Sequence, residues 1–123
     1  MSIQIDRSLF LPQIKDRSSN RQYAQYEDNC VDLGSETIDI AQEWFDNQPW
    51  LYGAREDYDT QRECRIALKR YVMSRISLKD VDKSWFVPDF IFVWLAQKLI
   101  TFIIKLIIEH YWPDLITEMG MEI

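Results

Sequence analysis

Four acidic residues on one predicted helix have the spacing best suited to chemistry. They are Glu36, Asp39, Glu43 and Asp46, at successive intervals of three, four and three positions. On a helix these intervals place all four carboxylates on one face. Carboxylate oxygens can hold a divalent cation such as Mg²⁺. The pattern is consistent with a metal site, an acidic docking face or a solvated helix face, and in an acidic chain the solvated face is favoured.

This arrangement of helix-borne carboxylates is similar to that of all-α nucleotide pyrophosphohydrolases, which hold Mg²⁺ in this way. The resemblance implies one alternative function, an Mg-dependent hydrolase of nucleotides with the four acidic residues as metal ligands. The chain departs from the family pattern because no Glu-x-x-Glu pair precedes Glu36. Outside this alternative we expect no cofactor and no catalytic residue.

The other residue types that commonly carry catalysis are sparse. His110 is the only histidine, and no Gly-x-Ser-x-Gly motif accompanies it, so we expect a structural role at a helix end. Cys30 and Cys64 lie 34 positions apart without a Cys-x-x-Cys pair, which predicts reduced core thiols. With three glycines in the chain, no phosphate-binding glycine loop can be built.

A basic patch is predicted on another helix, where Arg62, Arg65 and Lys69 share one face. We interpret this patch as an ordinary solvent-exposed surface that faces the four acidic residues Glu36, Asp39, Glu43 and Asp46, rather than as a nucleic-acid contact. Acidic residues outnumber basic ones 20 to 14, giving a net charge of −6, which disfavours binding to phosphate backbones. Nucleic acid is therefore not an expected partner.

The elements that must position these residues are predicted to be helices. Residues 1–18, with Pro12 inside an apolar run, read as an extended N-terminal arm that packs on its own domain or on a neighbouring copy. Residues 19–123 form the helical domain. Its predicted helices span 19–34, 35–47, 60 to about 75–77, and 88–112. The first begins at a Ser19 capping box and stops at Gly34. The last reaches Pro113, which stops or kinks the chain. The expected fold is all-α, a bundle of about four helices around a long apolar C-terminal helix.

The apolar helix itself admits three interpretations. Between residues 90 and 108, fifteen of nineteen side chains are apolar, nearly enough to cross a bilayer. Inserting Lys98 and Lys105 into a membrane costs about 5–7 kcal/mol of free energy, whereas the aliphatic and phenylalanine side chains contribute about 4–8 kcal/mol in favour of insertion. The net free energy of insertion is therefore close to zero. A polar residue recurs every four positions, at Gln97, Thr101, Lys105 and Glu109, with Lys98 beside them. This spacing predicts one solvent-exposed polar stripe on an otherwise buried helix. A soluble core or oligomer seam is favoured over a membrane span, with the seam at Phe92, Leu95, Leu99, Phe102, Ile103 and Leu106.

The leading hypothesis is a non-enzymatic interaction or assembly protein that forms a helical homo-oligomer, because the apolar surface of the last helix exceeds what short helices can cover. Acidic chains of this composition are common among bacterial accessory and phage proteins. The first residues carry no signal-peptide pattern, so the cytoplasm is expected. The alternatives are the nucleotide hydrolase and a small membrane protein with one span at 90–108.

Overall fold

The described part of the chain is entirely helical apart from short flanking stretches. The computed structural model describes residues 3–19, 27–47, 61–76 and 89–118. These residues form four helices and no strand: α1 (Arg7–Ser18), α2 (Glu27–Asn47), α3 (Gln61–Arg75) and α4 (Asp89–Glu118). The predicted all-α bundle is thereby confirmed.

Helix α4 lies at the centre of the bundle and packs against each of the other three helices. Its buried residues recur at intervals of three, four and one, so they occupy most of the helix circumference. They are Leu95, Ala96, Leu99, Ile100, Ile103, Ile104, Ile107, Ile108, Tyr111 and Leu115. The prediction of a bundle built around the apolar C-terminal helix is correct.

Helix α4 continues through Pro113, at which the sequence predicts a stop or a kink. Proline removes the N–H that would bond the carbonyl four residues earlier. That carbonyl belongs to Glu109, an exposed residue that water can reach. Beyond the proline, the Thr117 hydroxyl donates to the Pro113 carbonyl at 2.9 Å and Leu115 is fully buried, so the last turn is held by the core.

Helix α2 is one continuous helix where the sequence predicts two. Gly34, the expected stop, lies in its interior. The buried residues Leu33 and Ile38 on either side continue a single face, and the Thr37 hydroxyl donates to the Leu33 carbonyl at 2.8 Å. Gly34 serves packing instead, because a Cβ added there would meet Ile14 of α1. Tertiary contact thus overrides the local stop signal.

The prediction of an extended arm over residues 1–18 is wrong for residues 7–18, which form α1. The Asp6 carboxylate accepts from the Ser8 backbone N–H at 3.0 Å and caps the helix start. Pro12 lies inside α1, and the carbonyl it leaves without a donor belongs to exposed Ser8. Burial of Phe10 and Ile14 offsets this loss. Ser19, predicted to begin a helix, instead ends α1, with its N–H donating to the Lys15 carbonyl at 3.0 Å.

Residues 3–6 remain extended and are bound to the body of the bundle. The Gln42 carboxamide accepts from the Ile5 N–H at 2.7 Å and donates to the Ile3 carbonyl at 2.8 Å, so one side chain of α2 replaces a neighbouring strand. The Asp6 N–H donates to the Tyr111 hydroxyl of α4 at 2.8 Å. Ile3 is buried. This segment therefore packs on its own chain, one of the two arrangements expected from the sequence.

Helix α3 matches its predicted bounds and face. Cys64, Leu68 and Val72 are buried at intervals of four. Arg75 in its last turn forms an ion pair with Glu43 of α2. Residue 60, the predicted cap, lies outside the described residues.

Candidate functional site: a cationic groove on the last helix

The candidate site includes the solvent-exposed polar stripe of α4. Gln97, Thr101, Lys105 and Glu109 are all exposed, and Lys98 beside them is exposed as well. The predicted single polar stripe is therefore confirmed. The Thr101 hydroxyl donates to the Gln97 carbonyl at 2.8 Å, so this hydroxyl is satisfied within the helix.

An open groove follows this stripe, with a volume of about 660 Å³. Helix α1 contributes one wall residue from its last turn, Arg17, and α3 contributes Lys69. All other lining residues belong to α4. We call this surface the α4 groove; it is lined by Arg17, Lys69, Trp94, Gln97, Lys98, Thr101, Phe102, Lys105, Leu106 and Glu109.

Arg17 and Phe102 form the α1 side of the groove. The Arg17 guanidinium carbon lies 4.5 Å from the centroid of the Phe102 ring, a cation–π contact. The Arg17 Nε is buried and has no hydrogen-bond partner among the described residues. These two residues also line an adjoining depression of about 450 Å³ with Pro12, Gln13 and Asp16, so the groove extends along α1.

Trp94 and Lys98 form the end of the groove nearer the start of α4. They are four residues apart, so their side chains lie on one helix face. The Lys98 Nζ lies 4.4 Å from the centroid of the Trp94 ring. Trp94 is nevertheless 51% exposed, one of two large exposed hydrophobic residues in the described part of the chain. Tryptophan is one of the residue types that most often dominate the binding energy of an interface.

The charge of the α4 groove is opposite to that of the chain. Four of its residues are cationic, whereas Glu109 is its single carboxylate. The chain as a whole carries a net charge of −6. Within the described ranges none of the four cations forms an ion pair, although two other arginines, Arg7 and Arg75, do. The groove therefore holds a local positive potential with exposed apolar surface.

The four acidic residues of α2, which we call the acidic stripe, lie outside the α4 groove. Asp39 pairs with Arg7 of α1, and Glu43 pairs with Arg75 of α3. Asp46 accepts from the Gln42 side chain at 2.8 Å, and Glu36 is exposed. Among the described residues no three His, Cys, Asp or Glu side chains come together as they would around a metal ion. Two of the four carboxylates thus link α2 to its neighbouring helices.

The predicted basic patch is divided by the fold. Arg62 is exposed, and Arg65 and Lys69 are half-buried, but Lys69 alone of the three lines the α4 groove. The ion pair between α3 and the acidic residues of α2 is formed by Arg75 with Glu43, and Arg75 is not one of the three patch residues.

The predicted seam residues also separate into two groups. Leu95, Leu99 and Ile103 lie in the core. Phe102 and Leu106 are half-buried and form the apolar floor of the groove. The side chain of Phe92 lies outside those that the structure describes.

The remaining candidate residues are the single histidine and the two cysteines, and all three contact other side chains of the bundle or lie in its core. His110 does not lie at a helix end as expected, because α4 continues to Glu118; it is exposed, and its ring packs edge-on against Phe10 at 5.8 Å between centroids. Both cysteines are free and buried, and burial raises the pKa of Cys30 to about 11 and that of Cys64 to about 12. Such thiols are poor nucleophiles at neutral pH, because the thiolate is the reactive form.

Sequence reasoning found the polar stripe without assigning it a ligand. In the sequence, Lys98 and Lys105 count as charges that oppose membrane insertion and as part of the polar stripe, and Arg17 falls in the predicted extended arm. The Trp94 and Lys98 spacing was a readable signal for an aromatic residue covered by a cation. No sequence signal connects Arg17 to Phe102, since they are brought together by helix packing.

A scan against protein-family models, a search of curated proteins and a search of solved structures each gave no match to the chain. In the described ranges, none of the helices has the length and hydropathy required to cross a membrane.

Proposed function

We propose that the chain is an interaction protein that binds a segment of a partner protein in the α4 groove without catalysing a reaction on it. The observation that carries this proposal is the combination of exposed Trp94 with four cations that form no ion pair among the described residues, on an acidic chain. Interfaces concentrate binding energy in a few aromatic and arginine side chains surrounded by polar groups. The α4 groove has this composition.

The shape of the groove supports a polymeric partner over a small molecule. Small-molecule sites are concave and bury most of the ligand surface. The α4 groove is open, and it continues past Phe102 and Arg17 into the depression along α1. An elongated ligand can contact both parts at once, whereas a small one would leave most of its surface in water.

Self-association, expected from the sequence, remains a proposal, and the packing around α4 supports it less than the apolar sequence of α4 does. The expectation rested on apolar surface of α4 that short helices could not cover. In the structure α1, α2 and α3 all pack on α4, and the large hydrophobic residues left exposed in the described part are Leu9 and Trp94. A second copy is thus one source of the partner segment, and light scattering after size-exclusion chromatography distinguishes it from a foreign partner.

The proposal is tested by selecting binders from a random peptide library displayed on phage, with the full chain as target. We expect peptides that bind the parent and lose binding to the Trp94→Ala variant. The matched control is Leu9→Ala, which removes the other exposed large hydrophobic residue; Leu9 lies on α1 and lines neither the α4 groove nor the adjoining depression. Equal binding to the parent and to Trp94→Ala, or no enriched peptide at all, contradicts the proposal.

A further inference from the structure

Two lysines on the outer face of α4 are spaced by two helical turns. Lys98 and Lys105 are seven residues apart and both exposed. At 3.6 residues per turn and about 1.5 Å per residue, their Cα atoms lie about 10 Å apart along the helix on nearly the same face. Thr101 stands between them on the stripe, and Phe102 and Leu106 lie beside them. The groove thus presents two cationic points with an apolar floor alongside.

Two further cations flank this row from opposite neighbours. Arg17 comes from α1 and Lys69 from α3, so positive charge borders the groove on both sides of α4. The chain carries six more acidic than basic charges, yet these cations have no carboxylate partner among the residues described. A ligand that carries carboxylates supplies what is missing, and electrostatic complementarity of this kind steers and orients binding.

The aromatic rings of the groove favour carboxylates over nucleobases. Single-stranded nucleic acids bind largely by stacking bases on exposed aromatic faces. Here Lys98 covers a face of Trp94 and Arg17 covers a face of Phe102. A base would have to displace a cation from each of these faces, whereas a carboxylate can bind the cation where it stands. The Arg17 Nε–H has no hydrogen-bond partner among the described residues, and a carboxylate bound on this side of the groove forms charge-assisted hydrogen bonds with the guanidinium.

From these observations we infer that the occupant of the α4 groove is an acidic amphipathic helix of a partner protein. Its carboxylates are two turns apart, at positions i and i+7, and face Lys98 and Lys105. An apolar residue between them, at i+3 or i+4, contacts Phe102 and Leu106. This inference rests on the proposed function, since it names the chemistry of the partner segment.

The inference is tested with a fluorescently labelled synthetic helix that has Glu at i and i+7 and Leu at i+3 and i+4. A second peptide of identical composition carries its Glu residues on the face opposite the leucines. In fluorescence anisotropy we expect the first peptide to bind the full chain about tenfold more tightly than the second, and to weaken as salt is raised.

Charge reversal of the two lysines identifies the contact. In the Lys98→Glu/Lys105→Glu variant the acidic helix is expected to lose about tenfold or more in affinity, and a peptide with Lys in place of both Glu residues is expected to recover it. The control is Arg62→Glu/Arg70→Glu, which changes the net charge equally on exposed residues of α3 outside the groove. Circular dichroism confirms that each variant is folded, and Lys98→Gln/Lys105→Gln replaces the reversal if it is not.

The outcomes separate the two proposals. If the two peptides bind equally, if the control weakens binding as much as the groove variant, or if a single-stranded DNA oligonucleotide binds more tightly than the acidic helix, the inference is overturned. If the library instead yields groove binders that are neutral or basic, the inference fails while the proposed function stands. If no peptide binds at Trp94, both fail.

Discussion

Gly34 of α2 and Ile14 of α1 are in such close contact that a Cβ atom at position 34 would lie 2.8 Å from Ile14 Cγ2. Ile14 is completely buried, so it has little room to move. Alanine at position 34 gains up to about 1 kcal/mol of helix propensity but overpacks the α1–α2 contact by about 1–3 kcal/mol. We expect Gly34→Ala to reduce the free energy of unfolding by roughly 1 kcal/mol, measured by urea denaturation.

The Ile14→Ala background supplies the control for this contact. That variant is itself less stable because it leaves a cavity. With the isoleucine methyl groups gone, adding Gly34→Ala should be neutral or stabilising by up to about 1 kcal/mol. An unchanged cost in both backgrounds would show that the contact is not the cause.

The Gln42 side chain holds the extended residues 3–6, and its removal should loosen them. Gln42→Leu leaves the Ile5 N–H and the Ile3 carbonyl half-buried without partners, which costs about 1–3 kcal/mol. Urea denaturation should report this loss, and hydrogen exchange at the Ile5 amide should quicken. Gln13→Leu, which removes one exposed bond to the Leu9 carbonyl, should change stability by less than about 0.5 kcal/mol.

The core face of α4 should not tolerate charge. Ile103 and Ile104 are buried, and an aspartate at either position would bring an unpaired charge into the centre of the bundle. We expect Ile103→Asp and Ile104→Asp to unfold the chain or to lower its stability by more than about 4 kcal/mol. Thr101→Asp, on the exposed face of the same helix, should stay close to the parent. Thermal melts that do not distinguish the three variants would rule out this orientation of α4.

Both thiols should be protected in the folded chain. Because burial raises the pKa of Cys30 to about 11 and of Cys64 to about 12, neither ionises appreciably at neutral pH. A disulfide reagent should therefore react with both thiols in denaturant and with neither in the native state on the same timescale. Fast reaction of the native chain would place a thiol at the surface.

The same burial makes stability depend on alkaline pH. Above about pH 9 an unfolded chain releases the Cys64 proton, whereas the folded chain keeps it up to about pH 12, so the folded state binds more protons in this window. Stability must then fall as the pH rises. Between about pH 8 and about pH 10 the parent should lose about 1 kcal/mol more than Cys64→Ala, a comparison that cancels the other titrating groups.

Much of the architecture was readable from the sequence because it depends on local periodicity. The spacing of Cys64, Leu68 and Val72 predicted α3 and its buried face, and the four-residue repeat from Gln97 to Glu109 predicted the solvent face of α4. Both patterns repeat over several turns, so single exceptions do not obscure them.

The errors arose where tertiary contacts overrule local signals. Pro12 argues against a helix, yet burial of Phe10 and Ile14 keeps α1 helical through it. Gly34 resembles a helix stop, but its missing side chain is needed for the packing of Ile14. The groove was beyond sequence reasoning for the same reason, since its wall includes Arg17, far from α4 along the chain.

The order of the helices along the chain determines when the core can assemble during synthesis. Phe10 of α1 and Phe45 of α2 both pack against Tyr111, which lies near the end of α4, the last described helix. A ribosome that has released only α1, α2 and α3 still holds their common packing partner in its tunnel. The part of the core around Tyr111 therefore closes only after α4 has emerged, and until then the faces of the earlier helices that pack on α4 stay uncovered.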